Sequence, residues 1–175
     1  VVAPEIAWVA LPNLGRNTAA LAVAFQLDGL ILSGGDDIGC HPVREESESA
    51  LIEWSLQARR PIFAVCRGLQ MLQHHFNGRL SSDESGAHLA TRHRIDWIDG
   101  SSREVNSFHR IMVAEADLAS GLVPLAKADD GSIEALRHRD APLLGVMWHP
   151  ERESVPDPHD SRLFRQHFGL ERTSS

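Results

Sequence analysis

The sequence predicts an α/β protein with a mostly parallel central sheet and helices on both of its faces. Short apolar runs of strand length alternate with stretches of helical spacing, an order that is typical of parallel sheets. A chain of 175 residues is long enough to bury one core, and no repeat or linker divides it. We therefore expect residues 1–175 to form a single domain.

The first predicted elements alternate between strand and helix. Residues 6–11 and 30–32 are apolar runs of strand length, and Pro12 ends the first of them. Residues 18–26 are alanine-rich, and residues 45–59 carry apolar side chains at helical spacing. This order indicates two strand–helix units of one sheet.

A cysteine stands at the sharpest predicted turn of the chain. Residues 61–65 form an apolar run that opens with a proline, Cys66 follows at once, and residues 69–76 have helical spacing that ends before Gly78. Such a strand-to-helix turn holds a nucleophile clear of the sheet, beside the free N–H groups of a helix N-terminus. Those groups favour a thiolate, so we expect a lowered pKa for Cys66.

The second half is more irregular. Residues 78–105 are polar, which indicates loops and short antiparallel strands over one edge. Residues 133–136 predict a short strand, residues 143–148 a central strand, and residues 162–168 a closing helix.

Composition excludes several classes of protein. The formal net charge is −7 and there is no basic block, so nucleic acid is not an expected partner. No apolar run approaches membrane-spanning length, and no signal peptide is recognisable. Cys40 and Cys66 lack a disulfide framework pattern, which favours a reducing, cytoplasmic compartment.

A histidine and a glutamate directly follow the last predicted central strand. His149 and Glu151 are two residues apart, so in extended backbone their side chains point the same way. The carboxylate would then hold one imidazole nitrogen while the other faces Cys66, because catalytic groups gather at the carboxyl ends of parallel strands. Nucleophile, base and orienting acid together are the arrangement that activates thiols.

Two glycines end the second predicted strand. Gly34 and Gly35 let the backbone approach a ligand closely. The N–H groups of Gly35 and Arg67 would form an oxyanion hole for a tetrahedral acyl intermediate.

Four segments together resemble the class I glutamine amidotransferase and γ-glutamyl hydrolase superfamily, in its peptidase C26 branch. They appear in the order of that superfamily and span almost the whole chain; they are SGGDDI at 33–38, CRGLQ at 66–70, VNSFH at 105–109 and GVMWHPE at 145–151.

The resemblance implies a flavodoxin-like three-layer sandwich and an enzyme without cofactor. It implies Cys66 as nucleophile, His149 as base and then acid, Glu151 as orienting carboxylate, and the Gly35 and Arg67 amides as oxyanion hole. The residues it places near a bound γ-glutamyl group are Gly34, Gln70, Asn106, Ser107, Phe108 and His109. The implied reaction is attack on a γ-carboxamide, formation of a γ-glutamyl thioester, release of the amine, and hydrolysis to glutamate.

The Cys66-Arg67-Gly68 sequence is similar to stand-alone γ-glutamyl-amide hydrolases, including those acting on γ-glutamyl-γ-aminobutyrate and γ-glutamyl-CDP-amidate. An alternative is a glutaminase domain that supplies ammonia to a synthase partner. A second alternative is an inactive binding module of the same fold. Either a homodimer or a synthase complex is compatible with the sequence.

Two departures from the family pattern stand out. Ala64 occupies a position, two residues before the cysteine, where the family usually has glycine, and the first strand–helix unit is not visible before Val1. Several histidines offer metal ligands, but none has the spacing of a known zinc motif, so no metal is expected; they are His41, His74, His75, His88 and His93.

Overall fold

The computed structural model describes residues 3–170. Its helices are α1 (Thr18–Ala24), α2 (Pro42–Ala58), α3 (Arg67–His75) and α4 (Pro158–His167). Its strands are β1 (Leu30–Leu32), β2 (Ile62–Val65), β3 (Ser81–Ser82), β4 (Thr91–Trp97), β5 (Ser102–Ser107), β6 (Ile111–Met112), β7 (Leu122–Ala128), β8 (Ile133–His138) and β9 (Leu143–Val146).

One seven-stranded sheet has the order β1-β2-β9-β8-β7-β4-β5, and β3 pairs with β6 in a separate ribbon. Strands β1, β2 and β9 are parallel, whereas β8, β7, β4 and β5 extend the sheet by antiparallel pairing. The predicted α/β fold is confirmed. The sheet as a whole is mixed. The segments that carry Cys66 and His149 follow strands of its parallel part.

Helices cover both faces of the sheet, as predicted. Successive residues of β2 point to opposite sides because side chains alternate along a strand. Ile62 and Ala64 pack in a core that also holds buried residues of α1, α2 and α3. Phe63 and Val65 pack in a second core, against which Leu163 and Phe164 of α4 and the following Phe168 pack.

Glycines let α3 approach the sheet closely at its first turn. A Cβ atom at Gly68 would lie 2.2 Å from the backbone oxygen of Leu32, at the end of β1. A Cβ atom at Gly145 of β9 would lie 3.0 Å from the Leu69 side chain. The beginning of α3 is therefore pressed against the carboxyl ends of the parallel strands.

Several predicted elements differ from the structure: α4 begins at Pro158 rather than at residue 162, and β7 is not among the predicted strands. Residues 6–11 form no strand; Trp8 is exposed and its ring contacts Phe164 of α4, with 6.0 Å between centroids. An apolar run becomes a strand only where a neighbouring strand pairs with it, which the local pattern does not reveal. Helix α2 begins at Pro42, earlier than predicted, because proline is well suited to the first turn of a helix. No helix in residues 3–170 has the length and apolar character to cross a membrane.

Candidate active site

Cys66 occupies a strained turn between β2 and α3. Its backbone angles are φ 50° and ψ −108°, a region that non-glycine residues rarely adopt. Its N–H donates to the carbonyl oxygen of Val146 at 2.7 Å, which extends the pairing of β2 with β9 by one step. The turn forms with the buried Ala64 in the strand before it. The predicted elbow is therefore present.

His149 and Glu151 are joined as predicted, but through a different local structure. Nδ1 of His149 lies 2.6 Å from Oε1 of Glu151. The residues between them are not extended, since Pro150–Arg152 forms a 3-10 turn that His149 precedes. The imidazole is buried and the carboxylate is about half exposed, its side chain being 57% accessible. Because an ionised carboxylate can only accept, Nδ1 carries the proton and donates the hydrogen bond, so Nε2 is the nitrogen left to act as a base.

Asn106, at the end of β5, fixes the backbone of His149. Its Oδ1 accepts from the His149 N–H at 2.9 Å, and its Nδ2 donates to the His149 carbonyl at 2.9 Å. Nδ2 also donates to Glu153 at 2.8 Å. The His149 carbonyl also accepts from the Arg152 N–H at 3.1 Å. In residues 3–170 the hydrogen bond of the His149 ring runs to Glu151, and none joins the ring to the Cys66 sulfur.

The His149 ring lies over the glycine pair that follows β1. A Cβ atom at Gly34 would be 2.9 Å from Cε1 of His149. The ring also meets Phe108 edge-on, with 5.9 Å between centroids, and the Arg152 guanidinium lies over the Phe108 ring. Segments after β1, β5 and β9 thus meet at one rim of the sheet, where Cys66 also lies.

A chain of charged side chains connects Arg67 to the glycine pair. Arg67 is 1% exposed, and its Nη1 donates to Oε2 of Glu48 at 2.5 Å. Oε1 of Glu48 accepts from Arg44 Nε at 2.8 Å. Arg44 Nη2 in turn donates to the carbonyls of Ser33 and Gly34 at 3.0 and 3.1 Å.

This arrangement orients the peptide between the two glycines. A trans peptide points its N–H and C=O in opposite directions. The Gly34 carbonyl is directed at Arg44, so the Gly35 N–H points away from Arg44. The place of that amide in an oxyanion hole stays a prediction.

The thiol of Cys66 differs from the sequence expectation. Burial raises its pKa to about 11, and the Arg67 N–H, which lowers it, does not outweigh burial. The charges of Glu151 and Glu134 raise it further. The expected lowering of the pKa by the helix N-terminus is therefore wrong for the free protein, whose thiol is protonated at neutral pH.

Three other residues predicted near the γ-glutamyl group each have at least one protein partner, although Oε1 of Gln70 and Nε2 of His109 have no hydrogen bond. Gln70 is 2% exposed and its Nε2 lies 3.5 Å from the Ile111 carbonyl. The hydroxyl of Ser107 donates to the His88 carbonyl at 2.7 Å, and His109 is buried beside Glu134. Their contact with substrate stays a prediction.

Sequence reasoning missed three charged residues around the site: Arg44, Glu48 and Glu134. The first two stand four residues apart on α2, a spacing that places them on one helix face. Glu134 is the charged member of an otherwise apolar run in β8 and is fully buried. An acid in such a run is a signal of a special role, because buried charges need partners.

Comparison with known proteins gives this arrangement a context. The sequence model of the peptidase C26 family matches residues 3–151. The gamma-glutamyl-CDP-amidate hydrolase of Campylobacter jejuni is 31% identical over 159 residues, which cover 81% of this chain and 76% of that protein. A subunit of the glutamine-hydrolysing GMP synthase of Archaeoglobus fulgidus is 28% identical over 167 residues, covering 91% and 79%.

A solved structure shares the fold. It is described as a GMP synthase subunit from Thermoplasma acidophilum, with a TM-score of 0.72 and 19% sequence identity. The match covers 87% of this chain and 75% of that one.

Proposed function

Since the chain belongs to the peptidase C26 family, within the class I glutamine amidotransferase-like superfamily, we propose that it is a cysteine-dependent hydrolase of γ-glutamyl amide bonds. Its substrate would be a γ-glutamyl conjugate, and its products glutamate and an amine. The observation that carries the proposal is the position of the Cys66 elbow beside β9, the strand that leads into the His149–Glu151 pair.

The chemistry assigns one role to each group. His149 Nε2 takes the proton of the Cys66 thiol, and the sulfur attacks the γ-carbonyl carbon to give a tetrahedral intermediate. Its oxyanion is stabilised by the amides of Gly35 and Arg67. When the C–N bond breaks, the imidazolium gives its proton to the leaving amine, and a γ-glutamyl thioester remains.

Water completes the reaction with the same groups. His149 removes a proton from water as the water attacks the thioester, and the thiolate leaves and regains its proton. Glu151 holds the imidazole in the required tautomer through Nδ1 and stabilises its charged form. The approach of Nε2 to the sulfur belongs to the substrate complex, since catalytic hydrogen bonds are often long before substrate binds.

A high thiol pKa fits this order of events. A thiol with a pKa of about 11 is not a stable thiolate at neutral pH, so the base must act during the attack. Deprotonation is thereby coupled to substrate binding, which protects the sulfur from unrelated electrophiles.

Glutamate release from a panel of conjugates tests the proposal. The panel would hold glutamine, γ-glutamyl-γ-aminobutyrate and γ-glutamyl-CDP-amidate, assayed with wild type, Cys66→Ala and the exposed-cysteine control Cys40→Ala. We expect Cys66→Ala to lose at least about 10³-fold in rate and Cys40→Ala to keep it. Full activity of Cys66→Ala would overturn the assignment.

A glutaminase domain working with a synthase is the second candidate, favoured by the similarity to the glutamine-hydrolysing GMP synthase subunit. Such a domain would hydrolyse glutamine in preference to the conjugates, and faster in the presence of its synthase. A glutamine-like affinity label distinguishes both enzymes from an inactive binding module, because only an active site would form an adduct on Cys66.

A further inference from the structure

A second group of polar side chains lies buried beside the candidate active site. Glu134 of β8, His88 of the loop before β4, and His109 after β5 are 0%, 2% and 4% exposed. One ligand atom from each lies within 4.8 Å of the others. The three residues come from separate segments of the chain that the fold brings to one point.

The atoms that face one another there have no hydrogen-bond partner. They are Nδ1 of His88, Nε2 of His109, Nε2 of His93 and both carboxylate oxygens of Glu134. Buried polar atoms are normally satisfied, and each one left without a partner calls for a specific explanation.

The outward-facing nitrogens fix the tautomers of both rings. Nδ1 of His109 lies 3.0 Å from the Ile111 carbonyl, which only accepts, so this nitrogen carries the proton. Nε2 of His88 lies 2.9 Å from the Asp130 carboxylate and carries its proton for the same reason. In the neutral rings, the nitrogens facing Glu134 therefore present lone pairs to a carboxylate, and a cation bound between them would relieve that repulsion.

The distances fit a metal ion at that point. Nδ1 of His88 and Nε2 of His109 each lie 3.5 Å from Oε1 of Glu134. Ligands at about 2.0–2.1 Å from a tetrahedral zinc ion are about 3.3–3.4 Å from one another. These two separations are close to those of neighbouring ligands around a shared ion and are long for direct hydrogen bonds, and the two histidine nitrogens lie within 4.8 Å of each other.

The surroundings resemble the outer shell of a metal site. Ligating histidines commonly donate their second nitrogen to a carboxylate or a backbone carbonyl, as His88 and His109 do here. Asp130 is itself held by Ser132, whose N–H and hydroxyl both donate to its other oxygen. Nε2 of His93 lies 3.4 Å from the second oxygen of Glu134, where it can support that carboxylate.

We propose that Nδ1 of His88, Nε2 of His109 and Oε1 of Glu134 bind one divalent zinc ion. The ion ties the loop before β4 and the turn after β5 to β8. Phe108 belongs to the same turn, and Ser107 at the end of β5 donates to the His88 carbonyl, so the site stabilises the wall of the candidate active site beside His149. From the sequence we expect no metal, because no histidines have the spacing of a known zinc motif. The proposed site differs from that expectation because its ligands come together only in the folded chain. The proposal does not depend on the hydrolase assignment.

Zinc binding to the whole chain is the direct test. Protein treated with a chelator and freed of it would be titrated with zinc chloride by calorimetry, and the bound metal measured by elemental analysis. We expect one zinc per chain and an increase in Tm with zinc, because a ligand that binds only the folded state stabilises it.

Three variants distinguish zinc binding at this site from nonspecific binding of zinc to surface histidines. Glu134→Gln removes the anionic ligand with little change of shape and should weaken zinc binding by at least about 100-fold. Asp130→Asn changes only the outer shell, at a side chain about half exposed, and should weaken it about 10–100-fold. His74→Gln, at an exposed histidine of α3, should leave the affinity unchanged.

Two results would overturn the proposal. One is a folded wild-type protein that does not bind one zinc ion per chain. Protons on the imidazoles would then balance the charge of Glu134 in place of a metal ion. The other is equal zinc affinity in wild type, Glu134→Gln and Asp130→Asn. Since Asp130→Asn alters a partly exposed side chain, it gives an answer even if Glu134→Gln does not fold.

Discussion

Asn106 holds the peptide groups on both sides of the His149 Cα atom, accepting from its N–H and donating to its carbonyl at 2.9 Å each. The two residues are 43 positions apart in the chain and come from β5 and from the segment after β9. A histidine fixed in this way has its ring placed by the backbone as well as by Glu151. We therefore expect Asn106 to act as a positioning residue for the proposed base.

Asn106→Leu tests this role against direct contact with substrate. We expect kcat to fall about 100-fold with little change in KM, since small displacements of a catalytic group have effects of that size. A residue that binds the γ-glutamyl group would instead raise KM. Steady-state kinetics with the most active conjugate give both constants.

The exposed Asn13→Leu is the matched control for that variant and should behave as wild type. A Tm for Asn106→Leu close to that of wild type would show that the kinetic change is local. Unchanged kcat in Asn106→Leu would contradict the positioning role.

Alanine at two glycines should separate activity from stability. At Gly34 the new Cβ meets a side-chain atom of His149, so the ring must move, and we expect about 100-fold lower activity in a folded protein.

At Gly68 the new Cβ meets the backbone oxygen of Leu32, so α3 must move away from the sheet. We expect Gly68→Ala to lower the free energy of unfolding by about 3 kcal/mol, measured in urea.

Each glycine variant serves as the other's control. A fully active Gly34→Ala would mean that the ring is not held over the glycine pair. A Gly68→Ala protein as stable as wild type would mean that α3 does not press on β1.

Removing the partner of the buried Arg67 charge should be strongly destabilising. Glu48→Gln leaves a guanidinium that is 1% exposed without its main carboxylate. We expect the free energy of unfolding to fall by about 3 kcal/mol, the lower end for breaking a buried ion pair, because glutamine keeps one acceptor. Denaturant unfolding followed by circular dichroism measures it.

A glutamate on the same helix provides the comparison. Glu53 pairs with Arg16 at 3.2 Å on the surface, where both side chains are largely exposed. Glu53→Gln should therefore change the free energy of unfolding by less than about 1 kcal/mol. Equal effects of the two substitutions would show that the Arg67–Glu48 contact is not buried in solution.

Alkylation of Cys66 should follow its raised pKa. The thiolate reacts, and two pH units below the pKa only about 1% of a thiol is in that form. Iodoacetamide should therefore modify Cys66 slowly at pH 7, and the rate should rise through pH 9 towards 11. Peptide mass spectrometry follows the exposed Cys40 in the same samples as an internal reference, which we expect to react first at neutral pH.

The same pKa affects folding stability. Because the folded value of about 11 lies above the ordinary 9.0, the folded state binds this proton more tightly than the unfolded state. The resulting stabilisation is present below pH 9 and is lost as the pH rises from 9 to 11.

One result would contradict the raised pKa of Cys66. An alkylation rate of Cys66 that is already maximal below pH 7 would indicate a resting thiolate paired with imidazolium.

Local pattern was enough to predict the elements that carry the site. The strand, turn and helix around Cys66 depend on an apolar run, helical spacing and Gly68, all within a few residues, and the structure has them at β2 and α3. The wrongly predicted strand at residues 6–11 had an equally apolar pattern. It forms no strand because no neighbouring strand pairs with it, and whether such a strand is present depends on residues far away in the chain.

The sequence by itself determined the α/β class, the elbow at Cys66 and the nearness of Glu151 to His149, because each depends on residues close together in the chain. Only the tertiary structure decided which charges are buried and what they meet: Glu48 against Arg67 across 19 residues, and Glu134 among three histidines. It also reversed the expected shift of the Cys66 pKa. Burial is a property of the whole fold, and the free energy of a charge depends on how much water the fold excludes around it.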